Sequence, residues 1–125
     1  MEKPVNINEY YVSLNEQEKS FFSALRNIIH QAHPNVCETL FVHQPYFYLP
    51  IYETVKFHYR PSVMMTFFRD HVNIFATGNI KYKSQLPMYK FTEKHTLQIY
   101  FNQPIQNDIL VELFRKSLIS TEDQQ

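Results

Sequence analysis

The side chains able to do chemistry in this 125-residue chain are six histidines, twelve carboxylates, one cysteine and nine tyrosines. His71 follows Asp70 in RDHVNIF. A carboxylate beside an imidazole orients the ring and selects its tautomer. The pair therefore suits a metal ligand or a proton carrier, or simply holds a turn through a hydrogen bond. His43 in LFVHQPYF and His58 in ETVKFHYR are predicted to share the open face of a sheet with Glu38. Imidazole and carboxylate suit iron, so Glu38, His43, His58, Asp70 and His71 are the candidate metal ligands. No His-x-His or His-x3-His pair supports them by spacing alone. Lys94 and Thr96 open a strand in EKHTLQIYF, where they could bind an anion or close a turn. His30 and His33 fall near the end of a helix, where the dipole favours a cation without any ligand. Cys37 lacks an assignable base and oxyanion site, which a nucleophile needs, and is read as a small, partly buried residue.

The stretch LFVHQPYFYLPIY carries five aromatic rings. Regular alternation would put Phe41, His43, Pro45 and Phe47 on one face. Proline is confined to edge strands and irregular segments, so an edge strand or an irregular loop is predicted here. Tyr46, Tyr48 and Tyr52 would then cover the core edge with their hydroxyls in water. Alternatively, Tyr46 and Tyr48 with His58 would line an apolar groove for a small molecule or a protein.

These residues need elements to position them. Asn6 with Glu9, and Asn15 with Glu18, have capping-box spacing. They predict a short first helix, a break near residues 13–15 and a main helix over 16–32, with Leu14, Phe21, Leu25, Ile28 and Ala32 as its buried stripe. ETLFVH reads as the first strand, and ETVKFHYR alternates as another. VMMTFFRDHVNIFAT holds two strands about a tip at Arg69 and Asp70. Gly78, the one glycine, is predicted to take a positive φ. Asn79 would cap a short helix that ends near Pro87. KHTLQIYF is a further strand, and QNDILVELFRKSLIS is a last helix that buries Ile109, Leu110, Leu113, Phe114 and Leu118. The terminal TEDQQ is read as frayed. Strands grouped between terminal helices predict an α+β fold: one antiparallel sheet of five to six strands packed on N- and C-terminal helices, as a single domain over 1–125 with its core at 7–118.

Twelve basic and twelve acidic residues balance, which argues against the strong positive field of non-specific nucleic-acid binding. No apolar run reaches membrane-spanning length. The N-terminus lacks the apolar core of a secretory signal, and a single cysteine fits a reducing compartment, so a cytoplasmic location is expected. There is no phosphate-binding glycine loop, dinucleotide fingerprint, zinc motif or serine elbow, and the chain is expected to be a binding protein, not an enzyme.

The order NINEYYVSLNEQEKSFFSALRNIIHQAHPNVCETL, then VHQPYF, RDHVNIF and YKFTEKHTLQIYF, resembles the YdhG-like family of small bacterial domains. The match covers about residues 7–118. It rests on Pro45, on His71 with Asp70 in place of Asn, on Tyr89, Lys90, Lys94, Thr96 and Gln98, and on Pro104. Gln44 stands where the family has a small residue, and His95 where it has glycine. The resemblance implies a frataxin-like fold and an intracellular iron chaperone, with Fe(II) as cargo and an iron-acceptor protein as partner. The acidic ridge of frataxins is not matched: Glu9, Glu16, Glu18 and Glu38 are interspersed with Lys19 and Arg26. The alternative is a non-metal module that binds a small molecule or a protein. Its binding candidates are His43, Tyr46, Tyr48, His58, His71, Lys94 and Thr96.

Overall fold

Asn6 and Asn15 each open a helix as their spacing predicts. The Asn6 side chain accepts from the Glu9 amide ahead of α1 (Ile7–Ser13). Asn15 and Glu18 exchange both bonds of a capping box ahead of α2 (Glu16–Ala32). Such a box satisfies two orphan amides that the helix cannot. The structure, a computed structural model, describes residues 3–119; the expected fraying of TEDQQ lies outside them.

The strands are β1 (Cys37–Phe41), β2 (Gln44–Tyr48), β3 (Val63–Phe67), β4 (His71–Ala76), β5 (Lys90–Phe91) and β6 (Leu97–Tyr100). They form one antiparallel sheet in the order β1-β2-β3-β4-β6-β5. With α2 and α4 (Asn107–Ser117) packed against it, this is the α+β architecture expected from the sequence. α3 (Asn79–Tyr82) is a single turn between β4 and β5. Phe47, Val63, Met65, Val72, Ile74, Leu97 and Ile99 point from the sheet into the core. Phe22, Leu25 and Ile29 of α2 and Leu110, Leu113 and Phe114 of α4 meet them there, fully buried. Each such side chain contributes about 1.5–3 kcal/mol by leaving water.

Several expectations are corrected. The stripe of α2 is centred on Phe22 rather than Phe21, which is half-buried and packs on Phe101 with ring centres 4.8 Å apart. Residues 53–60 form no strand despite their alternation: turns there lead into a 3-10 turn at Phe57–Tyr59. Phe41 and Phe47 lie on opposite faces. The turn residues Val42 and His43 both take left-handed backbone, φ 52° and 64°, and reset the alternation. Phe41 consequently stacks on Phe57 at 4.6 Å, while Phe47 is in the core. The proline strand β2 is internal, between β1 and β3. Pro45 pairs with Leu40 of β1, and the β3 ladder begins only at Tyr46, so the missing amide interrupts no β2–β3 pairing.

Gly78 has an ordinary φ of −88° and is itself the N-cap of α3, a role predicted for Asn79. Its need is space. A Cβ there would stand 2.9 Å from Ser117 Oγ on α4. The Gly78 amide donates to that oxygen, which in turn donates to the Leu113 carbonyl.

Candidate functional site

Arg60 organises the segment that follows β2. Its Nε donates to the Val55 carbonyl and its Nη2 to the Glu53 carbonyl, both at 2.7 Å. The guanidinium lies over the rings of Tyr48 and Phe57, 4.4 and 4.2 Å from their centres. A planar, weakly hydrated cation is suited to such stacking. The next residue, Pro61, biases Arg60 to extended backbone, and its φ and ψ are −73° and 135°. The segment is thereby folded over the β1–β2 part of the open sheet face, with the Tyr46 hydroxyl donating to the Phe57 carbonyl at 3.3 Å.

The facing wall is built by α3 and the turn ahead of β6. Asn79 Nδ2 donates to the carbonyls of Ile74, at 3.0 Å, and His95, at 2.8 Å. The turn itself is closed by His95 N to the Thr92 carbonyl and by Thr96 N to Thr92 Oγ1. His95 takes left-handed backbone there, φ 65°.

Between these walls lies a cleft of about 280 Å³. Phe57, His58, Arg60 and Ser62 line one side, and Asn79, Lys94, His95 and Thr96 the other, with Phe75, Ala76 and Thr77 of the β4 end completing it. Two residues of this lining each hold one buried side-chain atom with no hydrogen-bond partner: Asn79 Oδ1 and His95 Nδ1. Asn79 as a whole is 3% exposed. Buried polar atoms are nearly always satisfied, so these two are exceptions in the described residues.

Of the binding candidates read from sequence, His58, Lys94 and Thr96 meet in this cleft. Tyr46 and Tyr48, expected to line a groove with His58, are instead buried beneath the 49–60 segment, 2% and 7% exposed. Burial raises the proton affinity of both phenols above the ordinary tyrosine value. His43 is exposed on the β1–β2 turn. His71 stands at the start of β4, its Nδ1 2.7 Å from Asp70 Oδ1 and its ring stacked on Phe68 at 4.8 Å. That hydrogen bond draws the Asp70 carboxyl below its ordinary range.

Glu38 does not share the open face with His43 and His58. It pairs in register with Phe47 and faces α2, where its carboxylate accepts from Arg26 Nε at 2.6 Å and stands 2.8 Å from His30 Nε2. Burial alone would raise this carboxyl; the bonds and charges of Arg26 and His30 outweigh that and hold it below its ordinary value. Among the described residues, no three His, Cys, Asp or Glu side chains are grouped as metal ligands. His30 is thus part of an ion-pair cluster, and His33 reaches the Arg115 carbonyl at 3.2 Å.

Arg60, Asn79 and His95 were not recognised from sequence as site residues. Only His95 carried a signal: it occupies a place where the YdhG-like pattern has glycine, and its backbone is left-handed.

No protein-family model matches the chain, and no curated protein or solved structure matches it either. Among the described residues, no helix is long and apolar enough to cross a membrane.

Proposed function

We propose that this protein is a small binding protein, not an enzyme, and that its ligand site is the cleft between the 57–62 segment and the turn ahead of β6. The observation that carries this reading is the meeting of His58, Arg60, Lys94 and Thr96, from separate elements, along one cleft. At about 280 Å³ the cleft is at the small end of ligand pockets, which run from about 300 to 1,000 Å³. Its ligand is therefore of metabolite size. With one free cysteine in the chain, we place the protein in a reducing compartment, the cytoplasm.

The rival reading is the iron carrier implied by the YdhG-like resemblance. It needs Glu38, His43, His58, Asp70 and His71 as ligands. Glu38 is engaged by Arg26 and His30, on the side of the sheet that faces the helices. The cleft is favoured over that set because its polar atoms already converge.

Amide NMR on the labelled chain tests both readings. A library of small polar metabolites should give saturable shifts at Ser62, Thr77, Asn79 and Thr96. An anaerobic Fe(II) titration, with Mn(II) and Mg(II) as controls, runs beside it. Fe(II)-specific broadening around Glu38, His43 or His71, with a cleft that no metabolite perturbs, would replace this reading with the iron carrier.

A further inference from the structure

The cleft continues along β4 onto the open face of the sheet. Val72 and Ile74 of β4 and Leu97 and Ile99 of β6 point into the core, so alternation turns Asn73, Phe75 and Gln98 to the opposite face. Phe75 belongs to both places: it lines the cleft and is 38% exposed.

The two phenylalanines of the cleft differ. Phe57 has the Phe41 ring stacked on it at 4.6 Å and the Arg60 guanidinium 4.2 Å from its centre. Among the described residues, neither a ring nor a cation lies against Phe75. An open ring face suits a second ring, because aromatic pairs gain stability beyond the area they bury. A cationic group is a poor occupant, since Arg60 and Lys94 line the same cleft.

Two residues back along β4, about 7 Å by the rise of a strand, lies a pair of amides. Asn73 and Gln98 are partners in register, and Gln98 Nε2 donates to Asn73 Oδ1 at 3.0 Å. That bond fixes the sense of both groups. It leaves Asn73 Nδ2 as a donor and Gln98 Oε1 as an acceptor, side by side. Neither has a partner among the described residues, and neither is among the buried atoms that lack one, so both are open to solvent on this face. A molecule that answers them carries an acceptor beside a donor. A nucleobase carries that edge on a flat ring. A saturated amide has the edge without the ring, and a plain hydrocarbon ring has no edge. The chain's twelve basic and twelve acidic residues balance, which supplies no field for the phosphates of a strand of nucleic acid. A single uncharged base is therefore the fitting occupant.

Resting on the reading of the cleft as the ligand site, we propose that its ligand is a free nucleoside or a compound of that type. The base stacks on Phe75, and its edge bonds to Asn73 Nδ2 and Gln98 Oε1.

The test is amide NMR on the labelled full chain, read at Phe75, at Thr77 of the cleft and at the side-chain amides of Asn73 and Gln98. The probes are adenosine, cytidine, uridine, ribose and a single-stranded RNA hexamer. At least one nucleoside should give saturable shifts at these positions, and ribose, which lacks the base, should give none. Phe75→Leu, at an exposed position, should weaken that nucleoside by about five-fold, with the amides of α2 and α4 unmoved as a sign that the fold persists. A second comparison needs no variant. The methylated counterpart that lacks the edge donor (N6,N6-dimethyladenosine, N4,N4-dimethylcytidine or 3-methyluridine) should bind about five-fold weaker than its parent. Ribose matching the nucleosides, affinity unmoved by Phe75→Leu, or a methylated probe matching its parent would each overturn the proposal. The hexamer binding far tighter than any nucleoside, with a steep salt dependence, would overturn it in favour of a nucleic-acid strand. Metabolites that shift Ser62 and Thr77 while every nucleoside stays silent would overturn it and keep the cleft as a site. Silence from nucleosides and metabolites alike would remove both readings.

Discussion

Asn79 Nδ2 lies 2.8 Å from the carbonyl oxygen of His95 and 3.0 Å from that of Ile74, so one side-chain amide joins the start of α3, strand β4 and the turn ahead of β6. The same residue leaves its Oδ1 buried and unpartnered. Asn79→Ala removes both donations and should cost about 1–3 kcal/mol in urea unfolding, because the two carbonyls lose their partner. A loss below about 0.5 kcal/mol would show that the bridge contributes little to stability.

His95 pairs a costly backbone with a side chain in the cleft. Its φ of 65° brings Cβ against the carbonyl that follows, a clash worth about 1–2 kcal/mol for a residue other than glycine. His95→Gly and His95→Ala lose the same imidazole, but only glycine relieves the clash. The glycine variant should therefore be more stable than the alanine variant by about 1 kcal/mol, measured by chemical denaturation. Equal stabilities would mean that the turn carries no such strain.

Glu38 supplies a pH dependence. Its carboxyl is held below the ordinary value near 4.3 because the bonds from Arg26 and His30 outweigh burial. A group whose folded pKa is depressed binds fewer protons folded than unfolded as pH falls, so its contribution is full above the unfolded value and is lost as pH drops through the folded one. Stability should decline from about pH 5 downward, and Glu38→Gln should flatten that decline. At neutral pH the same variant should cost about 1–2 kcal/mol, since bonds to charged groups are replaced by weaker ones. Thermal unfolding across pH reads both effects, and identical acid limbs in the two proteins would assign the decline to other carboxylates.

Arg60→Lys should loosen the cover over Tyr46 and Tyr48. Lysine keeps the charge but cannot reproduce the fork to the Val55 and Glu53 carbonyls or the planar stacking over Tyr48 and Phe57. We expect a loss of about 1–2 kcal/mol and faster hydrogen exchange at Val55, Tyr59 and Arg60, whose amides bond within the segment. Exchange unchanged there would mean that the segment holds itself.

Ser117→Ala should be costly although it removes a single oxygen. That oxygen accepts from the buried Gly78 amide at 2.9 Å and donates to the Leu113 carbonyl at 2.7 Å. Without it, the Gly78 amide has lost its acceptor, at a cost of about 1–3 kcal/mol. Gly78→Ala crowds the same oxygen from the other side and should cost about 1–3 kcal/mol by overpacking. Because the two changes act on one contact, their effects in a double-mutant cycle should not add; additive losses would place the two residues in separate environments.

Local rules determined much of this protein from sequence. The Asn6 and Asn15 caps placed α1 and α2, because side-chain capping is settled within one helical turn. Arg69 and Asp70 marked the β3–β4 tip, and the alternation in LQIY marked β6. Grouped strands between terminal helices were enough for the α+β class. Tertiary structure decided whatever depended on partners distant in the chain. The 53–60 stretch alternates like a strand, yet Arg60 captures its carbonyls and docks on Tyr48, a ring from another element. The facing of Phe41 and Phe47 was reset by two left-handed residues that periodicity cannot register. Gly78 was needed for an approach to Ser117, 39 residues away, and not for its φ. The cleft belongs to the same class. His58 and Arg60 meet Thr77 and Asn79, and Lys94 and His95, only after the sheet has formed. No spacing encodes that meeting, because each residue is separately compatible with an ordinary turn.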